Sequence, residues 1–194
     1  MSTRIFRPAC SLARLTGFTF IEILITSSLL MLIILLNSQT IHAVIVRQQA
    51  STLLEQLQKS LTFARSNAIY SASIVTVCPI EELHCGEEWN RGLLIFIDSN
   101  NNQTVDEIET LLTVTHFNQT SFSITWTASG RKNFVRFSPS GNAREFGRFN
   151  LCNKKDKSLA AQTLVVSRMG KLRRYRDRDQ DGSVEDRDGR KPDC

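Results

Sequence analysis

Hydrophobic and polar positions change their rhythm twice along the chain. From Phe18 to Leu36 the sequence reads FTFIEILITSSLLMLIILL, nineteen residues in which Glu22 is the sole charge. As a helix this stretch measures roughly 28 Å, close to the ~30 Å hydrocarbon core of a bilayer. From Ile41 to about Tyr70 the pattern turns amphipathic. Val46, Leu53, Leu54, Leu57, Leu61, Ala64 and Ala68 recur at three- and four-residue steps, while Arg47, Gln48, Glu55, Gln56, Lys59 and Arg65 take the opposite face. No Gly or Pro interrupts residues 18–70, so the pattern predicts one long helix, first membrane-spanning and then laid against a domain. Beyond it the apolar runs shorten. Strands are predicted at 74–77, 93–97, 111–117, 121–126, 133–138 and 163–167, with a turn at Ser138-Pro139-Ser140-Gly141-Asn142. A long helix followed by short strands predicts an α+β fold with an antiparallel β-sheet packed on the amphipathic half-helix.

Charge gives this plan a direction. Arg4, Arg7 and Arg14 precede the apolar run, and the first seventeen residues hold no acid. The positive-inside rule keeps that segment cytoplasmic and places the body across the membrane. A cleaved secretory signal is the competing reading, but its apolar run is shorter and ends in small residues. Here Asn37, Ser38, Gln39 and Thr40 follow. The net charge of +5 includes the three leader arginines; the remainder holds 21 basic against 19 acidic residues, so any nucleic-acid signal must be local.

Cys10 falls in the leader, which leaves Cys78, Cys85, Cys152 and Cys194 in the exported part. Four cysteines in an oxidising compartment imply two disulfides and allow three connectivities. Cys78 and Cys85 bound a short loop and are expected to pair, leaving Cys152 for Cys194. A metal site using these cysteines and His84 is the rival, but no C-x-x-C spacing supports it.

Glu22 is the anomaly of the apolar run, because a carboxylate in a membrane helix costs about 2.5–3.5 kcal/mol on insertion scales. Snorkelling at the helix end is the plain explanation. The sharper one joins it to its neighbours, Gly17-Phe18-Thr19-Phe20-Ile21-Glu22. A basic leader ending in glycine, an aromatic opening the apolar run and a glutamate fifth in that run resemble the type IV prepilin signal of pilins and pseudopilins. The resemblance implies cleavage between Gly17 and Phe18 by the prepilin peptidase and N-methylation of Phe18. It also implies that Glu22 meets the amine of a neighbouring subunit in a filament.

Further along, Cys78, Cys85, Trp89, Arg91-Gly92, Asp98-x-Asn100-x-Asn102, Asp106-x-x-Glu109-x-Leu111-Leu112, Phe137-x-Pro139-x-Gly141 and Leu151-Cys152 are similar to the GspH/FimT family over nearly the whole chain. Gln103 departs from that pattern, where glycine is common. Members include minor pseudopilins of type II secretion and minor pilins, among them FimT-like pilins implicated in binding incoming double-stranded DNA. The implied organisation is a leader at 1–17, a membrane half-helix at 18–36, an amphipathic half-helix at 37–70, a β-rich pilin domain at 71–167 and a charged, disulfide-tied segment at 168–194. The implied location is single-pass in the inner membrane with a periplasmic domain, or extracellular in an assembled pilus.

Two charged segments invite binding. Residues 168–178 carry six basic side chains against Asp177 alone; Arg168, Lys171, Arg173, Arg174 and Arg176 could neutralise phosphates without reading bases. Gly170-Lys171-Leu172-Arg173 is similar to the Gly-Arg-x-Arg motif of DNA-binding FimT-like pilins. Lys171 stands for the first arginine there and lacks its bidentate geometry. A solvated basic strand end is the plain alternative. Next, Asp177, Asp179, Asp181, Ser183 and Asp188 occupy positions 1, 3, 5, 7 and 12 of a Ca²⁺-type loop with Gly182 at position 6. Asp98, Asn100, Asn102, Thr104, Asp106 and Glu109 form a weaker copy without the glycine. Charged loops rich in Asx turns explain both without a metal, and no cofactor is required. His42, His84 and His116 have no spacing to a nucleophile, so no enzyme is expected. The readings that remain are a FimT-like minor pilin that binds DNA, a GspH-like pseudopilin that contacts other pilins only, and a membrane-anchored receptor outside any filament.

Overall fold

The computed structural model describes residues 17–82, 84–118, 121–157, 159–175, 177, 184–185, 189, 191–192 and 194; within it, side chains of 35–40 are outside the description. The chain divides into two compact units, Met1–Ile41 and His42–Cys194.

Helix α1 runs Phe20–Tyr70. Thr19 and Glu22 start it with a capping box: Thr19 Oγ1 accepts from the Glu22 amide at 3.3 Å, and Glu22 Oε2 accepts from the Thr19 amide across a long 3.5 Å. The helix ends where Ala72 turns to a φ of 50° and the Ser73 amide reaches back to the Ala68 carbonyl at 3.3 Å, a Schellman-type closure. In the first unit every described side chain from Phe18 to Ile34 is exposed. Among the described residues no helix is long and apolar enough to cross a membrane; the described side chains of the apolar run stop at Ile34.

In the second unit α1 buries Val46, Ala50, Leu53, Leu54, Leu57, Leu61, Ala64 and Ala68. Two antiparallel sheets share that core. The first holds β1 (Val75–Glu81), β2 (His84–Cys85), β3 (Gly92–Ile97), β4 (Leu111–His116) and β6 (Val135–Phe137). Its order is β2-β1-β3-β4, with β6 also on β1. The second is β5 (Phe122–Ala128), β7 (Gly147–Asn153), β8 (Gln162–Val166) and β9 (Leu172–Arg174), ordered β5-β7-β8-β9. Val75, Val77, Leu93, Ile95, Val135 and Phe137 from the first sheet meet Phe122, Ile124, Phe149, Leu151, Leu164 and Val166 from the second and the helix stripe in one cluster.

The pilin-like α+β fold is therefore as expected, but the β part is two sheets rather than one. Strand β7, absent from the expected strands, is the centre of the second sheet. It pairs with β5 from Phe122↔Asn153 to Ala128↔Gly147 and with β8 from Gly147↔Val166 to Leu151↔Gln162. Its buried Phe149 and Leu151 alternate with Arg148 and Asn150, a period-2 signal hidden in a polar composition. Strand β9 also extends the sheet past residue 168, into the segment expected to be a charged appendage.

Candidate functional site

At the N-terminal junction Phe18 is exposed, and Glu22 lies in the first turn of α1. The capping box gives Glu22 a role within its own chain that was readable as Thr19-x-x-Glu22 before an apolar run. The Thr19 amide engages Oε2, so the cap occupies one oxygen of the carboxylate. Gly17 has open space around its Cα. The leader residues Arg4, Arg7, Cys10 and Arg14 lie outside the described residues.

The C-terminal basic run is sorted by the pleat of β9. Its register, Leu164↔Arg174, Val165↔Arg173 and Val166↔Leu172, aligns Arg174 and Leu172 with core-facing Leu164 and Val166, and turns Arg173 to the opposite face. Arg174 Nε donates to Gln58 Oε1 of α1 at 2.5 Å. Together they line a groove of about 720 Å³ with Glu55, Lys59, Thr62 and Tyr175. In this groove Lys59 hydrogen-bonds Glu55 at 2.7 Å, and that bond together with its charge holds the Glu55 carboxyl below the usual range. Arg168 stacks over Phe146 with its guanidinium 5.6 Å from the ring centre. Lys171 and Arg173 are exposed. Arg176 lies outside the described residues.

Gly170, which opens the basic run, is fixed by packing. Its φ is +69°, and a Cβ there would stand 2.0 Å from the Gly141 carbonyl oxygen. That same oxygen accepts from Arg65 Nε at 2.8 Å, and the Ala143 amide donates to the Arg168 carbonyl at 3.1 Å. The turn after β6 and the turn before β9 thus meet over α1, and only glycine allows the approach.

Cys78 is bonded to Cys85 and Cys152 to Cys194. Cys152 shares the face of β7 that carries Asn150 and Arg148, away from Leu151, so the second bridge ties the chain's last residue to the face opposite the core. Val184 and Glu185 are buried, and Asp177 is half-buried. Asp179, Asp181, Ser183 and Asp188 lie outside the described residues. Among the described residues, no group of three His, Cys, Asp or Glu side chains is placed to hold a metal.

Antiparallel β-sheets packed on the second part of a long helix, whose described side chains from Phe18 to Ile34 are exposed, make a pilin-like architecture. The family model of the Type II transport protein GspH matches residues 53–170, and the chain belongs to that family of minor type IV pilins and type II pseudopilins. It is accordingly a structural protein and not an enzyme, and the family places it at a membrane or in a pilus. No match is found among curated proteins. Among solved structures it is similar to the type IV minor pilin FimU of Pseudomonas aeruginosa, with 16% identity and a TM-score of 0.47, over 66% of this chain and 86% of that one. It is also similar to the minor pseudopilin EpsH from the type 2 secretion system of Vibrio cholerae, with 13% identity and a TM-score of 0.46, over 65% of this chain and 95% of that one.

Proposed function

We propose that the chain is a minor pseudopilin of a type II secretion filament, held in the inner membrane by residues 18–36 before assembly. Prepilin peptidase cleaves between Gly17 and Phe18, Phe18 is N-methylated, and its amine meets Glu22 of an adjacent pilin. The observation that carries the secretion reading over DNA uptake is the division of the basic run. The pleat sends Arg174 to Gln58 and turns Arg173 to the other face, so the described part of the run forms no continuous phosphate-binding strip. The match to the Type II transport family supports the same choice.

One arrangement favours the second reading, a DNA-binding minor pilin. Arg148, Val165 and Arg173 lie in one row across β7, β8 and β9, which spaces the two guanidinium-bearing positions by about 10 Å. Deleting the gene in its host separates the two. Loss of protein export with DNA uptake intact is the expected result. Loss of uptake with export intact, together with a gel shift abolished by Lys171→Gln and Arg173→Gln, would establish the DNA reading instead. Glu22→Ala is expected to prevent incorporation into filaments; a parent chain never recovered in a filament would return the membrane-anchored receptor to favour.

A further inference from the structure

The connection between β3 and β4 contains an aspartate whose burial its own surroundings do not satisfy. Asp98 is fully buried. Its Oδ2 accepts from Thr76 Oγ1 at 2.7 Å, while Oδ1 has no hydrogen-bond partner. Since Thr76 pairs with Phe96, the Asp98 side chain lies on the Phe96 face of the first sheet, opposite α1. Phe96 belongs there to a small cluster with Cys78, Leu94 and Phe134, and Val105 packs on that cluster. The loop therefore folds over the face that carries the orphan carboxylate oxygen. A carboxyl oxygen buried without a hydrogen-bond partner is costly, and a cation within reach would supply the missing partner.

What closes over it has oxygen ligands at regular intervals. Counting Asp98 as position 1, Asn100, Asn102, Thr104, Asp106 and Glu109 fall at 3, 5, 7, 9 and 12, the positions that supply oxygens in a twelve-residue Ca²⁺ loop. Position 6 of such a loop needs a sharp turn ordinarily given to glycine. Here it is Gln103, and its φ is +63°, so the backbone makes the left-handed turn without the glycine that the sequence pattern lacked. Two contacts hold this turn in place: the Cys85 amide donates to the Gln103 carbonyl at 3.2 Å, and Arg136 Nη1 donates to Asn101 Oδ1 at 3.2 Å. Arg136 is itself matched by Glu145 at 2.6 Å, so it does not neutralise Asp98, Asp106 and Glu109.

We propose that the 98–109 loop binds a calcium ion, with Asp98 Oδ1 as its buried ligand. In the metal-free arrangement Asp106 Oδ2 accepts from the side-chain Nδ2 groups of Asn100 and Asn102 at 2.6 and 2.8 Å, and Glu109 Oε1 accepts from the Ser99 backbone amide at 2.8 Å. These bonds keep the carboxylates near the loop and account for the lack of a converged acidic trio. Binding exchanges them for the cation, with Glu109 closing the loop. All the donors are oxygen, which selects a hard cation, and a flexible irregular cage favours Ca²⁺ over the octahedral Mg²⁺.

The test is a calorimetric titration of the full chain in detergent micelles with CaCl₂. The expected result is one site with a dissociation constant of about 10⁻⁴–10⁻³ M, the range of extracellular calcium modules. Glu109→Gln and Asp106→Asn, both near-isosteric changes at half-buried positions, are each expected to weaken binding by about tenfold or more without changing the far-UV spectrum. Asp181→Asn, in the other candidate loop, is expected to leave it unchanged. Absence of binding up to about 10 mM Ca²⁺, an equal response to Mg²⁺, or binding removed by Asp181→Asn and untouched by Glu109→Gln would each overturn the proposal.

Discussion

The two halves of α1 are built from the same aliphatic residues and end in opposite environments. In the first half Phe20 is 79% exposed and Leu30 61%; in the second Leu57 is 1% exposed and Leu61 is fully buried. The second half alternates its leucines with Lys, Glu and Gln, so it can offer one face to the sheets and the other to water. The first half is apolar on nearly every side, and its described side chains from Phe18 to Ile34 are exposed. Such a helix gains burial only from lipid or from other helices. The difference teaches that the fold is complete in one half of the helix and awaits assembly in the other, which is what a filament subunit requires.

Substitutions can break or sharpen this contrast. Leu57→Ala is expected to destabilise the domain by about 2–5 kcal/mol through lost burial and a residual cavity. Leu30→Ala is expected to change it by less than about 0.5 kcal/mol, with denaturant melts of the full chain in detergent as the measure. Comparable losses at both positions would erase the distinction. Next in size, Cys194→Ser opens a link between residues 42 apart, a loss of about 4 kcal/mol on chain-entropy grounds. Cys78→Ser opens one of only 7, a loss of about 2.5 kcal/mol. Equal midpoints for these two variants would contradict the loop-length argument. Gly170→Ala, forced into a left-handed turn against the Gly141 carbonyl, is expected to cost about 1–3 kcal/mol.

The smallest effect belongs to Glu55. Lys59 lowers its carboxyl, so the stabilisation it gives is present above the ordinary carboxylate range and is lost as pH falls through the lowered value. Both side chains are largely exposed, and screening leaves the pair little to contribute. Glu55→Gln is therefore expected to melt with the parent at pH 7, and a resolved difference there would show an unexpected load on the helix's outer face.

The helix, its buried stripe and most of the first sheet were legible because burial repeats at fixed steps: Leu53, Leu57, Leu61 on the helix, and the solid apolar run Leu93–Ile97 in β3. Strand β7 was not, since Gly147, Arg148, Asn150 and Asn153 dilute its two core residues, and its centrality depends on partners distant in sequence. The division into two sheets is likewise a property of pairing that no local pattern encodes. At the candidate sites, the basic run was visible as composition, but which arginine faces α1 depended on the β9 register. The capping box at Thr19 was readable and was masked by the interest of Glu22 as an assembly carboxylate. Asp98 shows the reverse case: its place in the loop was visible, while its unmatched oxygen needed the fold.

The uncovered half of α1 is tested most directly by membrane fractionation of the intact chain at alkaline pH, with and without residues 18–34. The full chain is expected to stay in the membrane pellet until detergent is added, and the shortened one to appear in the supernatant as a folded, disulfide-bonded domain. A full-length chain that dissolves as a monomer in detergent-free buffer would contradict the account.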